Sequence, residues 1–207
     1  AASARIAAAG AELVADPFAG SGFADLAETV GGLEDYDVRG LEGLPNDLER
    51  WLGRLGPGAA LRDFAALERH IGADDPFAAG AVLGYLGDQP AFRASRADPA
   101  ATPDRRDFER LRARYRAIFD AVFAENRLDA MVFPQMADPL PRRGAAEAIR
   151  ETTVCEINIA GLPGVTVPAG RLESGAPFAL IFVGPAWSEA RLLRLARAWE
   201  MVTERAA

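Results

Sequence analysis

Between Thr152 and Gly170 the chain reads Thr-Thr-Val-Cys-Glu-Ile-Asn-Ile-Ala-Gly-Leu-Pro-Gly-Val-Thr-Val-Pro-Ala-Gly, and no other stretch restricts the fold as much. Its second half places Val165, Thr166 and Val167 between Gly-Leu-Pro-Gly and Pro-Ala-Gly. β-Branched residues between such breakers predict a short buried strand with a tight turn at each end. Asn158 stands just before the first turn, where its amide can hydrogen-bond nearby backbone and pin the turn. Two more apolar runs read as strands: Asp129 to Phe133, stopped by Pro134, and Pro177 to Val183, ended by Gly184-Pro185. The second is almost continuously apolar, as a strand covered on both faces should be.

Helical patterns fill the space between these runs. From Asp104 to Asn126, Phe108, Leu111, Tyr115, Ile118, Phe119, Val122 and Phe123 recur three or four residues apart, which is one apolar stripe of a helix. Arginines crowd its other side and read as a solvated face. A final helix is expected over Glu189 to Arg205, capped by Ser188 and packing through Leu192, Leu195, Ala196 and Trp199. Upstream, Ala2 to Ala9 predicts a short helix ended by Gly10, and Ala11 to Ala15 a short strand. Gly20-Ser21-Gly22 and Gly31-Gly32 read as turns. Further helices are expected at Phe23–Val30, Asn46–Leu55, Leu61–Ile71 and Pro76–Leu86, with Asn46 and Asp63 as caps. The reading is an α/β fold. A mixed β-sheet core carries Leu13, Met131–Phe133, Val165–Val167 and Leu180–Val183, with helices on both faces and a helical insertion. Residues 1–207 form part of one domain: a helix–strand unit at 1–20, a variable helical segment at 21–100 and a core at 101–207.

Composition removes several classes of function. With 30 acidic against 23 basic residues the net charge is −7, which favours neither nucleic acid nor an anionic membrane surface. No apolar run approaches the ~20 residues that span a bilayer. Ala1-Ala2-Ser3-Ala4-Arg5 shows no secretory leader pattern. One Cys excludes an internal disulfide and suits a reducing compartment, so a cytoplasmic location is expected. One His and one Cys in separate elements leave no metal-ligand spacing, and no phosphate-cradling Gly motif is present, so no cofactor is expected. His70 reads as a favourable cation at a helix C-terminus. Cys155, beside Glu156, reads as a packed thiol, with a Cys hydrolase as the rival reading. Every basic side chain is Arg, and Arg cannot serve as a proton acceptor, so no lysine base exists in these 207 residues. None of the five serines, Ser3, Ser21, Ser95, Ser174 and Ser188, lies in a nucleophile elbow or a Gly-rich loop of paired serines.

The pattern Asn158-x-Ala160-Gly161-Leu162-Pro163, continued by Val167-Pro168-x-Gly170, resembles the C-terminal hallmark of the amidase signature family. The apolar strand, Gly-Pro and closing helix from Pro177 to Glu200 follow in that family's order. The resemblance implies amide-bond hydrolysis through a serine ester, with a nucleophilic Ser, a relaying Ser and a Lys base. In the family these normally precede the part resembled here. It therefore implies that this chain is the C-terminal portion, with no catalytic residue of its own. Its partners would be an N-terminal catalytic half, on the same or a separate chain, and a small amide substrate, with a homodimer also open. In a glutamine-specific branch an acidic residue about seven positions before the hallmark Asn holds the substrate amino group, and Glu151 falls there. Gln135, Met136 and Glu156 are further substrate-pocket candidates, and Asn158, Gly161, Pro163 and Pro168 are structural. The alternative is a non-catalytic binding or scaffold protein, or a pseudo-enzyme, derived from the same fold.

Overall fold

A computed structural model describes residues 2–31, 43–72, 74–81, 83–87, 89–142 and 149–204. Gly32, expected in a turn, and Arg205, the expected end of the last helix, lie outside the described residues. In chain order the elements are α1 (Ala2–Ala8), α2 (Phe23–Gly31), α3 (Leu44–Gly53), α4 (Phe64–Ile71), α5 (Gly84–Gly87), α6 (Pro90–Ala97), α7 (Arg106–Glu125), β1 (Met131–Pro134), α8 (Val154–Ala160), β2 (Gly164–Arg171), β3 (Pro177–Val183) and α9 (Glu189–Glu204). The chain divides into two compact units, one formed by Ala1–Glu28 with Arg112–Ala207 and the other by Thr29–Leu111.

The first unit is built on a sheet of order β1-β3-β2. Both pairings are antiparallel, with Met131 opposite Val183 and Thr166 opposite Ile181. All three breaker-bounded runs are therefore strands of one α/β layer, as expected, but these strands are not mixed in direction. Ala11–Ala15 is not a strand either: it pairs with none of the described strands, and Leu13 and Val14 are both exposed. Period-2 alternation alone cannot hold an extended segment whose backbone groups have no ladder partner.

Alternation along the paired strands sends Val165 and Val167, Phe178, Leu180 and Phe182, and Val132 to one face. Leu192, Ala196 and Trp199 of α9 close over that face, with Ala2 and Ile6 of α1 beside them. Trp199 adds a polar tie, its Nε1–H donating to the Pro168 carbonyl at 2.7 Å. The opposite face carries Met131, Ile181 and Val183, all buried, with Thr166 exposed at its margin. At the head of α9, Ser188 sits at the cap position, but its hydroxyl turns back and donates to the Pro185 carbonyl at 2.6 Å. On α7, Tyr115, Phe119, Val122 and Phe123 are buried as the stripe requires. Phe18 and Phe23 meet Phe119 edge-on at centroid distances of 5.5 and 5.7 Å.

The second unit packs Phe64, Phe77, Leu86 and Phe92 together. Asp63 caps α4 as expected, accepting from the Ala66 amide at 2.5 Å. Asn46 is not a cap: Pro45 opens α3, and the buried Asn46 side chain donates to the Pro99 carbonyl at 2.7 Å. The helix expected over Pro76–Leu86 is mostly turns, and only Gly84–Gly87 is helical. Gly80 takes a φ of +82°, and at Gly84 a Cβ would stand 2.5 Å from the Ala78 carbonyl oxygen, so the chain folds back on itself there. Helix α6, begun by Pro90, falls outside the helices expected from the sequence. Arg96 bridges Glu68 at 2.7 Å and Asp75 at 2.8 Å, and lies 5.2 Å from the centre of the Phe77 ring.

Candidate functional site

The site grows from the end of β1. Pro134 closes the strand, and Pro139 and Pro141 prevent the chain from resuming it, so Gln135 and Met136 leave the sheet as a loop. Arg150–Thr152 runs back alongside. Met136 and Glu151 form an antiparallel bridge, with the Ala137 amide donating to the Arg150 carbonyl at 3.0 Å and the Thr152 amide to the Gln135 carbonyl at 3.2 Å. Three of the four expected pocket residues, Gln135, Met136 and Glu151, are thereby adjacent. Glu151 is exposed, whereas Gln135 and Met136 are half-buried. The Thr166 hydroxyl of β2 reaches across and donates to Gln135 Oε1 at 3.4 Å. An ion pair between Arg150 and Asp138 at 2.9 Å borders the bridge.

Past Thr152 the chain enters α8, a helix that the sequence pattern does not announce. Its Val-x-x-Ile-x-Ile content suits a strand as well as a helix over so few residues, and only packing decides. Glu156, the fourth candidate, lies in its first turn, where a carboxylate suits the helix dipole. Its Oε2 is buried and makes no hydrogen bond among the described residues. Nearby, burial pushes the Tyr115 hydroxyl up to about 12, with the negative charges of Glu156 and Cys155 adding to the shift. Cys155 is half-buried on this helix. His70 is exposed near the end of α4 and belongs to the other unit.

The hallmark residues divide between the turn and the strand. Gly161 ends α8 in the left-handed region at φ +68°, and its N–H donates to the Asn158 carbonyl at 3.1 Å. The turn expected of Asn158 is thus closed by its backbone. Its side chain is exposed, and no hydrogen bond from it appears among the described residues. The Arg112 guanidinium lies over Gly161, and Arg116 reaches the Ala160 carbonyl at 3.5 Å, so two cations of α7 face the C-terminal end of α8. The Pro163 carbonyl accepts the Gly184 amide at 3.1 Å, and Pro168 stands at a bulge in β2 that ends at Gly170, φ +132°.

Sequence reasoning missed Thr152, Thr166 and Tyr115 as members of this neighbourhood. No local pattern marks them, since each is brought in by strand pairing or helix packing. Three of the serines serve local turns. Ser21 accepts the Phe23 amide, Ser174 accepts the Ala176 amide, and Ser188 donates to Pro185. Among the described residues no group of three or more His, Cys, Asp or Glu could hold a metal ion, and no helix is long and apolar enough to cross a membrane. The bridge region therefore offers hydrogen-bond donors, acceptors and one exposed carboxylate, which can bind and orient a polar group.

Comparison with known proteins agrees with this architecture. Residues 91–193 match the family model described as Amidase. The chain is 33% identical over 91 residues to the A subunit of glutamyl-tRNA(Gln) amidotransferase from Pseudomonas entomophila, covering 41% of this chain and 19% of that protein. Against the corresponding protein of Myxococcus xanthus it is 30% identical over 154 residues, covering 68% and 28%. Among solved structures, peptide amidase from Stenotrophomonas maltophilia superposes with a TM-score of 0.56 at 27% identity, covering 88% of this chain and 35% of that one. Peptide amidase PAM bound to the competitive inhibitor chymostatin gives a TM-score of 0.59, also at 27% identity and the same coverages. The chain belongs to the amidase signature family. It spans about a fifth to just over a quarter of these curated relatives' length, and about a third of the peptide amidases.

Proposed function

We propose that the chain is the C-terminal portion of a serine amidase, which hydrolyses a small amide by acyl transfer. It completes the fold and walls the substrate pocket, while the Ser-Ser-Lys machinery lies outside these residues. One observation carries the reading: a member of a family that hydrolyses amides contains no lysine at all, and three of its five serines are committed to turns. Gln135, Met136, Glu151 and Glu156 are the substrate-side groups, with Glu151 the anionic acceptor for a cationic or amino-bearing part of the substrate. Gly161, Pro163 and Pro168 are framework, setting where α8 ends and where β2 begins and bends.

The test is reconstitution. The purified chain should show no turnover on a panel of simple carboxamides above buffer controls. Fusion or co-expression with an amidase-family segment that carries a Lys and paired serines should restore it. Turnover by the chain alone would refute the proposal.

A further inference from the structure

We propose that Thr152 and Thr166 are positioning residues that hold Gln135 so that its Nε2 hydrogens face the ligand. The group they would meet is an acceptor oxygen on the acyl side of an amide, such as a carbonyl or carboxylate. The inference rests on the amidase pocket proposed above and assigns new residues to it. Gln135 stands one position beyond Pro134, in a loop that three prolines keep out of the sheet. A loop without a ladder samples many backbone states, and ordering it gives up that conformational freedom. Here Thr152 supplies the missing ladder.

The Thr152 hydroxyl donates to the Pro134 carbonyl at 2.7 Å and shares its proton with the Gln135 carbonyl at 3.2 Å. Its own N–H donates to that same Gln135 carbonyl at 3.2 Å, and the Ala137 amide closes the bridge on Arg150. One residue therefore engages two consecutive carbonyls and fixes the backbone of Gln135 from both sides. A second contact orients the side chain. Thr166 projects from the sheet face shared with Ile181 and Phe133, and donates to Gln135 Oε1 at 3.4 Å. That distance makes a weak bond, so Thr152 does most of the positioning and Thr166 selects which end of the amide is offered. With Oε1 engaged, Nε2 presents two donors without a partner among the described residues. Glu151 pairs with Met136, the residue that follows Gln135, so it belongs to the same bridge.

Two readouts test this, one of which does not need catalysis. In the isolated chain, Thr152→Val should speed hydrogen exchange of the Ala137 amide about tenfold, while Thr152→Ser, which keeps the hydroxyl, should not. In the reconstituted amidase, Thr152→Val should raise KM about three- to tenfold with kcat little changed, and Thr152→Ser should restore it. Thr166→Val should raise KM about twofold without altering exchange at Ala137. Unchanged Ala137 exchange in Thr152→Val overturns the inference. So does a Ser variant as impaired as the Val variant, since the hydroxyl would then be irrelevant. If the reconstituted wild type shows no amidase activity, the pocket reading fails, and the exchange comparison alone upholds or overturns the role of Thr152.

Discussion

Trp199 offers the sharpest test of how the hallmark strand is held. Its indole is 4% exposed in a cluster with Val167, Leu180, Phe182, Leu192 and Ala196, and its N–H binds the Pro168 carbonyl at 2.7 Å. Trp199→Ala removes both the apolar contact and the donor. Loss of a buried Trp costs about 3–5 kcal/mol, a large share of the roughly 5–15 kcal/mol that holds a domain together. Trp199→Phe keeps most of the packing and loses the hydrogen bond. Because Pro168 is exposed at the bulge, its carbonyl can turn to water, so the expected cost is about 1–2 kcal/mol. Urea unfolding followed by far-UV circular dichroism measures both. Fluorescence gives a second readout, because the other two tryptophans, Trp51 at 50% and Trp187 at 91% exposure, are not buried. Emission of Trp199→Phe should shift to the red as the buried indole disappears. A Phe variant as unstable as the Ala variant, or an Ala variant within about 1 kcal/mol of wild type, would refute the packing account.

Three further outcomes are expected. Gly161→Ala should destabilise the chain by about 1–2 kcal/mol in the same unfolding assay, since position 161 needs a left-handed backbone and its Cβ would approach Arg112 Nη2 to 3.3 Å. Burial alone would raise the Asp75 carboxyl, but the Phe77 amide and the Arg96 guanidinium outweigh it and hold it below its ordinary 3.8. A carboxyl lowered in this way adds stability that is present above its unfolded pKa of about 3.9 and lost as pH falls through the folded value. Arg96→Ala should therefore cost about 1 kcal/mol or less near pH 6, and the gap to wild type should close below about pH 4 in acid titrations of stability. Tyr115, raised to about 12, should remain un-ionised at pH 11 by NMR of its ring carbons, and Glu156→Gln should lower that value. Its shift favours the folded state below about pH 10 and is lost as pH rises beyond that, so base unfolding should begin earlier in wild type than an unshifted tyrosine would predict.

The parts of this molecule legible in the sequence are those whose cause is local. The strands at 131–134, 164–171 and 177–183 are framed by Gly and Pro, which act within a residue or two. The long helix α7 and the closing helix α9 each carry a stripe that only a helical period can bury. The Asp63 cap likewise follows from chemistry three residues away. Misreadings came where two local rules competed or a partner was required. Ala11–Ala15 alternates but has no ladder, the stretch after Pro76 turns because of its glycines, and α8 is too short for its period to be told from a strand.

For the candidate site the division is similar. Glu151, Gln135 and Met136 are candidates that the family resemblance names one by one. That Glu151 lies opposite Met136, and that Thr152 and Thr166 converge on Gln135 from residues 17 and 31 positions away, could not be read from the chain. The sequence by itself determined the segments that bend, extend or coil, and the absence of any lysine to act as a base. Only the tertiary structure decided the direction of the sheet, the bridge beyond β1 and the partners of each threonine hydroxyl. Turns and helical stripes depend on neighbours a few bonds apart, whereas strand pairing and side-chain hydrogen bonds depend on which distant segments burial brings together.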